Sequence, residues 1–588
     1  SPLLTQWRTL APESLGRELP AFYEAIRTAI PQYKQWVAVV LGQRHHPAEC
    51  AADFLRHVLS QCETDLAAHL SKAPLPLVTD CFLHTKDFIR QLKDVLYDGG
   101  DAERGGEGAG YLDALAVRPY VSLQHEYAAL ETDYLRERYS SLAPFAVATG
   151  LAEHTDPDSW RSAIDQDSKS FLDLLEQAVS RCLNFSEGLA VVPLLASLDA
   201  VGVEYVQSIG ALLRNLRKKG ELQEEFVPVP SVGTVVARSF ANAFRRAPEG
   251  GEPDDAECKR SDVSEKRKSR LDFLENSLSF LNSVQDMRTR LQSFEGHLER
   301  ELLPFVRPNR RSLAQEADSA RSEASLRHFS FKDGQLRKKT LDFYNVLYDH
   351  LERKSSPKLL EQTWRAFQAI ETSVCFFIFD SIFACVRDQL QNVHAMRVWS
   401  RDDTVKALGL AEKSVDSVEV PDFSQTPSQY AMQVKDYLLS LPQYLEPLSR
   451  NALFATAVMT LESRLFADSE KSAASQAPAD PRDHEDDGGE FVLQWMELIM
   501  QATTTYYLDA ILHIPQLGSA GCNQLKMDIE YIQSMFSLMG MSQDNYLEWV
   551  CRFVSCSENE FADLSKESGA KVKRIGMIIA KERRLLLK

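Results

Sequence analysis

The sequence has no uncharged apolar run as long as a bilayer-crossing helix of about 18 residues. Its two best candidates fail on charge and polarity. Asp380 breaks the run from Val374 to Val386, and Gln494, Glu497 and Asp509 interrupt Phe491 to Leu512. No membrane span is expected. Cysteine pairing is missing too: the 10 cysteines are scattered singly from Cys50 to Cys556, with no CxxC and no framework of short spacings. That pattern excludes a disulfide scaffold and a zinc module, and it points to a reducing compartment. The first thirty residues lack the core of a signal peptide, because Arg8, Glu13, Arg17, Glu18 and Glu24 interrupt the apolar positions. The chain opens on Ser1 with Leu3, Leu4, Trp7 and Leu10 already at helical spacing, as expected of a start inside a longer protein. Convincing strands are lacking, since Phe226 to Pro230 and Val232 to Val236 are short and flanked by proline or glycine. No repeat of fixed period appears, which argues against a regular solenoid.

What is present is a long, acidic, helix-patterned chain. Its 588 residues exceed one hydrophobic core and suggest about four packed units. An apolar share of 44% with 26% charged residues is that of a folded protein. The net charge of -18 opposes phosphate, so nucleic acid is not an expected partner.

The pattern is organised around the run from Val374 to Val386. On a helix, Phe376, Phe379, Phe383, Val386, Leu390 and Val393 form one apolar seam, and Val374, Phe377, Ile378, Ile382 and Cys385 form a second. Two seams predict two packing partners and a bundle centre. Ser373, Asp380 and Arg387 share the narrow stripe left over, which predicts a solvent-facing Asp380.

Around this centre the expected fold class is all-α, an elongated series of helical bundles. The expected division is 1–110 as an N-terminal bundle, 111–305 with long helices, 306–466 as a central bundle, 467–490 as an acidic linker and 491–588 as a C-terminal bundle. Helical spacing over Leu19 to Leu41 places Tyr33, Val37 and Val40 on the core face with Ile26 and Ile30, with Pro31 as a kink. Asp98 to Gly110 reads as a flexible loop, and Glu249 to Asp262 as a polar linker. Arg214, Arg217, Lys218 and Lys219 before Gly220 predict a helix C-terminus with a left-handed glycine cap. Pro304 and Pro308 are expected to end the long helix that precedes them. Thr426, Pro427 and Gln429 predict a capping box for a helix that stops at Pro442.

Catalytic and metal motifs do not assemble. The glycine-rich stretch from Gly99 to Gly110 has no following Lys-Ser/Thr and carries acids where phosphate would lie; no HExxH accompanies His45 and His46. Gly518-Ser519-Ala520-Gly521 lacks the strand-turn-helix setting of a nucleophile elbow and reads as a loop, while Asp165 and Asp167 read as a solvated helix face. Cys551 and Cys556 read as buried or semi-buried thiols, and the acceptor-like Asn184-Phe185-Ser186 as unmodified. The expectation is a non-enzyme without cofactor or metal. One feature reads as functional. The segment from Gly569 to Lys588 places Lys571, Lys573, Arg574, Lys581, Arg583 and Arg584 around Val572, Ile575, Ile578 and Ile579, a basic amphipathic helix at the end of an acidic chain. Such a helix suits anionic lipid or an acidic partner groove; the plainer reading is a last bundle helix whose cations oppose Glu558, Glu560 and Asp563.

At Pro421 to Leu448, PDFSQTPSQYAMQVKDYLLSLPQYLEPL, the sequence resembles the family of seventh subunits of the conserved oligomeric Golgi complex. Similar residues follow in the same order at Phe379 to Phe383, at Tyr507 to Leu512 with Ile514-Pro515, at Asp528-Ile529 with Tyr531-Ile532, and over Ala178 to Leu198. The likeness covers about residues 160 to 588, with residues 1–157 matching loosely and the family's N-terminal coiled-coil region absent. It implies a rod of helical bundles acting as a structural subunit of a vesicle-tethering complex in intra-Golgi retrograde transport and retention of glycosylation enzymes. The implied place is the cytosolic face of Golgi membranes, held peripherally. The implied partners are other subunits of the complex, with SNAREs and small GTPases as further candidates.

Overall fold

The computed structural model describes residues 12–41, 46–96, 112, 115–142, 157–186, 188, 190–223, 229–245, 260–316, 334–352, 358–400, 426–449, 451–465, 488–539 and 545–585. The expected loop at 98–110, most of the linkers at 249–262 and 467–490, the first eleven residues and Phe226 to Pro228 lie outside these. Among the described residues there is no strand, so the fold is all-α. The helices in order are α1 (Leu15–Val40), α2 (Pro47–Leu70), α3 (Leu75–Leu96), α4 (Val121–Leu142), α5 (Pro157–Ser186), α6 (Val191–Lys219), α7 (Val232–Arg245), α8 (Arg260–Glu316) and α9 (Gly334–Glu352). The remainder are α10 (Glu361–Leu390), α11 (Gln429–Leu445), α12 (Ala452–Leu465), α13 (Gly488–Ile511), α14 (Ser519–Leu538), α15 (Asn545–Ser555), α16 (Glu558–Glu567) and α17 (Ala570–Glu582). Residues 1–148, 162–209 and 287–368 form one compact unit, and residues 149–161, 210–286 and 369–588 a second.

In the first unit α1 packs against α2 and α3. Leu15, Leu19, Phe22, Tyr23, Ile26, Ile30 and Val37 recur at steps of three, four and seven and are buried. The Tyr23 ring stacks on Phe88 at 4.2 Å, and its hydroxyl shares a hydrogen bond with Thr85, which also reaches the Tyr120 hydroxyl, each at 2.9 Å. The buried phenols thus keep partners after leaving water. Likewise, Arg181 is paired with Glu131, which also accepts a 2.7 Å bond from the Tyr127 hydroxyl. The start of α10 is capped from another helix: Asp199 of α6 accepts the backbone N–H groups of Gln362 and Thr363 at 3.1 and 2.7 Å. Glu295 of α8 accepts those of Leu359 and Leu360, both at 3.1 Å. These carboxylates satisfy donors that a helix cannot satisfy within itself.

In the second unit the later part of α10 is central. Both predicted seams are buried from Val374 to Val386, and an apolar window of α10 long enough for a bilayer is mostly covered by protein. Phe273 and Phe280 of α8 meet Phe377 edge-on at 5.9 and 6.3 Å, and Tyr506 of α13 meets Phe383 at 5.4 Å. The Tyr437 hydroxyl of α11 donates to the Ile382 carbonyl at 2.6 Å. More than two partners therefore surround this segment.

The stripe of Ser373, Asp380 and Arg387 is not solvent-facing along its length, contrary to expectation. Ser373 is exposed, but Asp380 is buried and ion-paired with Arg217 of α6, itself buried. Burial pushes the Asp380 carboxyl above its ordinary range, with Arg217 pulling the other way. Residue periodicity marks Asp380 as polar within an apolar helix; only the arrival of Arg217 makes its burial tolerable.

Several boundaries also differ from expectation. α6 ends at Lys219, but the left-handed residue is Glu221 at φ 50°, not Gly220. Gly220 is needed for closeness instead, since a Cβ there would stand 2.2 Å from the Phe273 ring. α8 continues through Pro304 and Pro308 to Glu316. The residues from Val232 to Val236 open a helix, α7. α11 starts after Ser428 without a side-chain cap: Asp528 of α14 accepts the Ser428 N–H at 2.7 Å in place of the expected box, and the helix runs through Pro442 to Leu445. On α1, Val40 is 54% exposed and Tyr33 is half-buried, so the core face ends at Val37.

Candidate functional site

The six cations predicted at the C-terminus divide into two groups. α17 buries Ile575, Ile578 and Ile579 and packs on α7 and α15, so its apolar side faces protein. Around that contact, cations serve helix ends. Lys581 donates to the Ala243 carbonyl in the last turn of α7, and half-buried Arg583 donates to the Phe553 and Cys556 carbonyls at the end of α15, at 2.7 and 2.9 Å. Cations are favoured at these termini because the last carbonyls have no partner within the helix and carry the negative end of its dipole. Arg584, in the left-handed region at φ 58°, donates to the Gln516 side chain at 2.8 Å.

Lys571, Lys573 and Arg574 behave differently. All three are exposed, and none makes an ion pair or side-chain hydrogen bond among the described residues. Lys571 passes over Gly233 in the first turn of α7, its Cε 3.6 Å from where a Cβ there would stand. Next to these cations α16 exposes Glu558, Glu560, Asp563 and Glu567, of which Asp563 pairs with Lys566 and Glu560 closes a capping box on Ser557.

A cleft of about 290 Å³ in the second unit is lined by Arg238 of α7, Leu390, Gln391, His394, and Tyr506, Asp509, Ala510 and His513 of the α13 end. Arg238 reaches both Asp509 oxygens at 2.9 Å, and the His513 imidazole is hydrogen-bonded to the Asp509 carbonyl at 2.7 Å. In the first unit, Trp36 (52% exposed), Val39 (78%), Val40 and Leu41 crowd the end of α1. Tyr33 stacks between Trp36 and Phe54 of α2, with centroids 6.0 and 4.9 Å away, which holds the Trp36 ring at the surface.

The other sequence candidates take structural places. Asp165 binds Lys169 and Arg290, and both cations hold its carboxyl below the usual range. Gly518 precedes α14 and Gly521 lies within it, so the expected loop is the start of a helix. The Gly518 N–H donates to the Trp399 carbonyl at 2.7 Å, and a Cβ at Gly521 would stand 2.3 Å from the same oxygen. Cys556 is buried, and burial pushes the half-buried Cys551 thiol up to about 12. Among the described residues no group of three His, Cys, Asp or Glu side chains could hold a metal.

Sequence reasoning missed Glu582. It is buried, its Oε2 has no hydrogen-bond partner among the described residues, and burial drives its carboxyl well above the ordinary value, opposed by Lys581. It missed the aromatic cluster as well, although the run Trp36-Val-Ala-Val-Val40 is apolar on more sides than one core face can use.

A sequence profile described as Golgi complex component 7 (COG7) matches residues 3–584. The chain belongs to this family. The match takes in residues 3–157, where the motifs alone gave only a loose likeness. Family relatives named conserved oligomeric Golgi complex subunit 7 include those of Bos taurus, 23% identical over 96% of this chain and 68% of that protein, and Homo sapiens, 22% identical over the same shares. The Arabidopsis thaliana relative is 22% identical over 76% of this chain and 49% of its own length. No solved structure matches the chain significantly.

Proposed function

We propose that this chain is a non-enzymatic structural subunit of a Golgi vesicle-tethering complex. The observation that carries the reading is the family match from residue 3 to residue 584. The relatives are subunits of an oligomeric Golgi complex by name, and the function of such a part is to present surfaces. On this reading the protein works peripherally at the cytosolic face of Golgi membranes, supporting retrograde transport within the Golgi and retention of glycosylation enzymes. Other subunits of the complex are its first partners, with SNAREs and small GTPases as transient ones. The exposed cluster of Trp36, Val39, Val40 and Phe54 supports assembly. A rigidly held tryptophan beside aliphatic side chains is the composition of interface hot spots, and a contiguous apolar patch is costly to leave in water.

The test is affinity purification of the tagged full-length protein from cells at increasing salt, with quantification of co-purifying subunits. Retention of a fixed set of helical subunits is expected, together with altered surface glycans on depletion that the wild-type protein restores. Purification of the protein alone at every salt concentration would overturn the reading.

A further inference from the structure

We propose that Lys571, Lys573 and Arg574 form a docking face for an acidic segment of a partner protein. No ion pair or side-chain hydrogen bond among the described residues uses their charges. Lys581 and Arg583 sit on the carbonyl ends of α7 and α15, where cations lower the energy of the fold. Lys571, Lys573 and Arg574 stand at the opposite end of α17, in its first two turns, where the dipole disfavours positive charge. They are exposed and form no ion pair with a carboxylate among the described residues. Three neighbouring cations held against local electrostatics are complementary to an anion supplied from outside.

The packing of α17 favours a protein over a lipid surface. An interfacial helix needs a free apolar side, and the Ile575, Ile578 and Ile579 side is buried against α7 and α15. A bilayer is also broad. Glu558, Glu560, Asp563 and Glu567 are exposed on α16, which packs against α17, and a broad anionic surface laid over the cations would bring headgroups toward these acids as well. A narrow acidic segment meets only the cations. The face narrows the six predicted contact residues to three and commits them to one class of partner. It stands independently of complex membership, which can hold whether or not this surface binds.

The experiment uses the full chain and two probes: a synthetic peptide rich in aspartate and glutamate, and phosphatidylcholine vesicles with and without phosphatidylserine. Wild type is compared with K571E/K573E/R574E and with a control reversal, K526E, all checked by circular dichroism. The expected result is salt-sensitive peptide binding that falls roughly ten-fold or more in the triple variant and is unchanged in the control. Phosphatidylserine should add no binding to vesicles. Absence of peptide binding, or equal binding by wild type and the triple variant, overturns the proposal. So does phosphatidylserine-dependent flotation abolished by the triple reversal, which would assign the face to the membrane. A neutral variant, K571Q/K573Q/R574Q, covers a triple reversal that fails to fold and should lose peptide binding as well.

Discussion

Replacing Arg217 by methionine removes one half of the buried ion pair and leaves the Asp380 carboxyl in the apolar centre of the second unit. The two residues are 5% and 6% exposed. Water therefore cannot take over the lost contact. Arg217 also holds the Gln223 carbonyl through its Nε at 2.9 Å, so the substitution frees a second acceptor. Breaking one side of such a pair costs about 3–5 kcal/mol, whereas replacing both charges by apolar groups of similar size is often neutral or stabilising. R217M is thus expected to destabilise the helices around α10 by about 3–5 kcal/mol, and the double variant R217M/D380L to recover most of that loss. Hydrogen exchange of peptides from 369–390 measures the local opening free energy directly, without assuming that both units unfold together. A cost below about 1 kcal/mol for R217M, or a double variant as unstable as the single one, would refute the claim that Asp380 is buried by pairing.

Glu582→Gln tests the buried carboxyl whose Oε2 has no hydrogen-bond partner among the described residues. Because the folded-state value is raised, its contribution to stability is greatest below 4.5 and declines as pH rises toward the folded value. The stability advantage of E582Q over wild type should therefore grow by about 1.4 kcal/mol per pH unit in that window, and parallel pH profiles in denaturant titrations would contradict it. Gly521→Ala should cost about 1–3 kcal/mol by pushing its Cβ against the Trp399 backbone, read as a lower denaturation midpoint; an unchanged midpoint would mean the contact yields freely. Trp36→Ala should leave thermal unfolding nearly unchanged, since the side chain is 52% exposed, yet weaken assembly with partner subunits by roughly 2 kcal/mol. Intact assembly in a quantitative pull-down would remove the aromatic cluster from the interface.

Sequence periodicity was enough to determine that this chain is helical and that the segment from Val374 to Val386 is a bundle centre. Steps of three and four residues express the geometry of one helix and need no knowledge of its neighbours. The family was legible as well, from the texture of Pro421 to Leu448. The candidate site was legible only as composition: a basic helix end could be seen, but which cations were already engaged could not. Lys581 meets its carbonyl 338 residues away, and Arg217 meets Asp380 across 163. No local pattern carries such pairings, because they depend on where separate helices come to rest. The same reason explains why Asp380 read as solvent-facing, why Asp528 replaces the cap expected from Thr426, and why Gly220 serves Phe273 rather than a left-handed turn. Tertiary structure decided which charged side chains hold the fold together and which remain exposed, since only packing determines which carbonyls and carboxylates lie within reach of each cation.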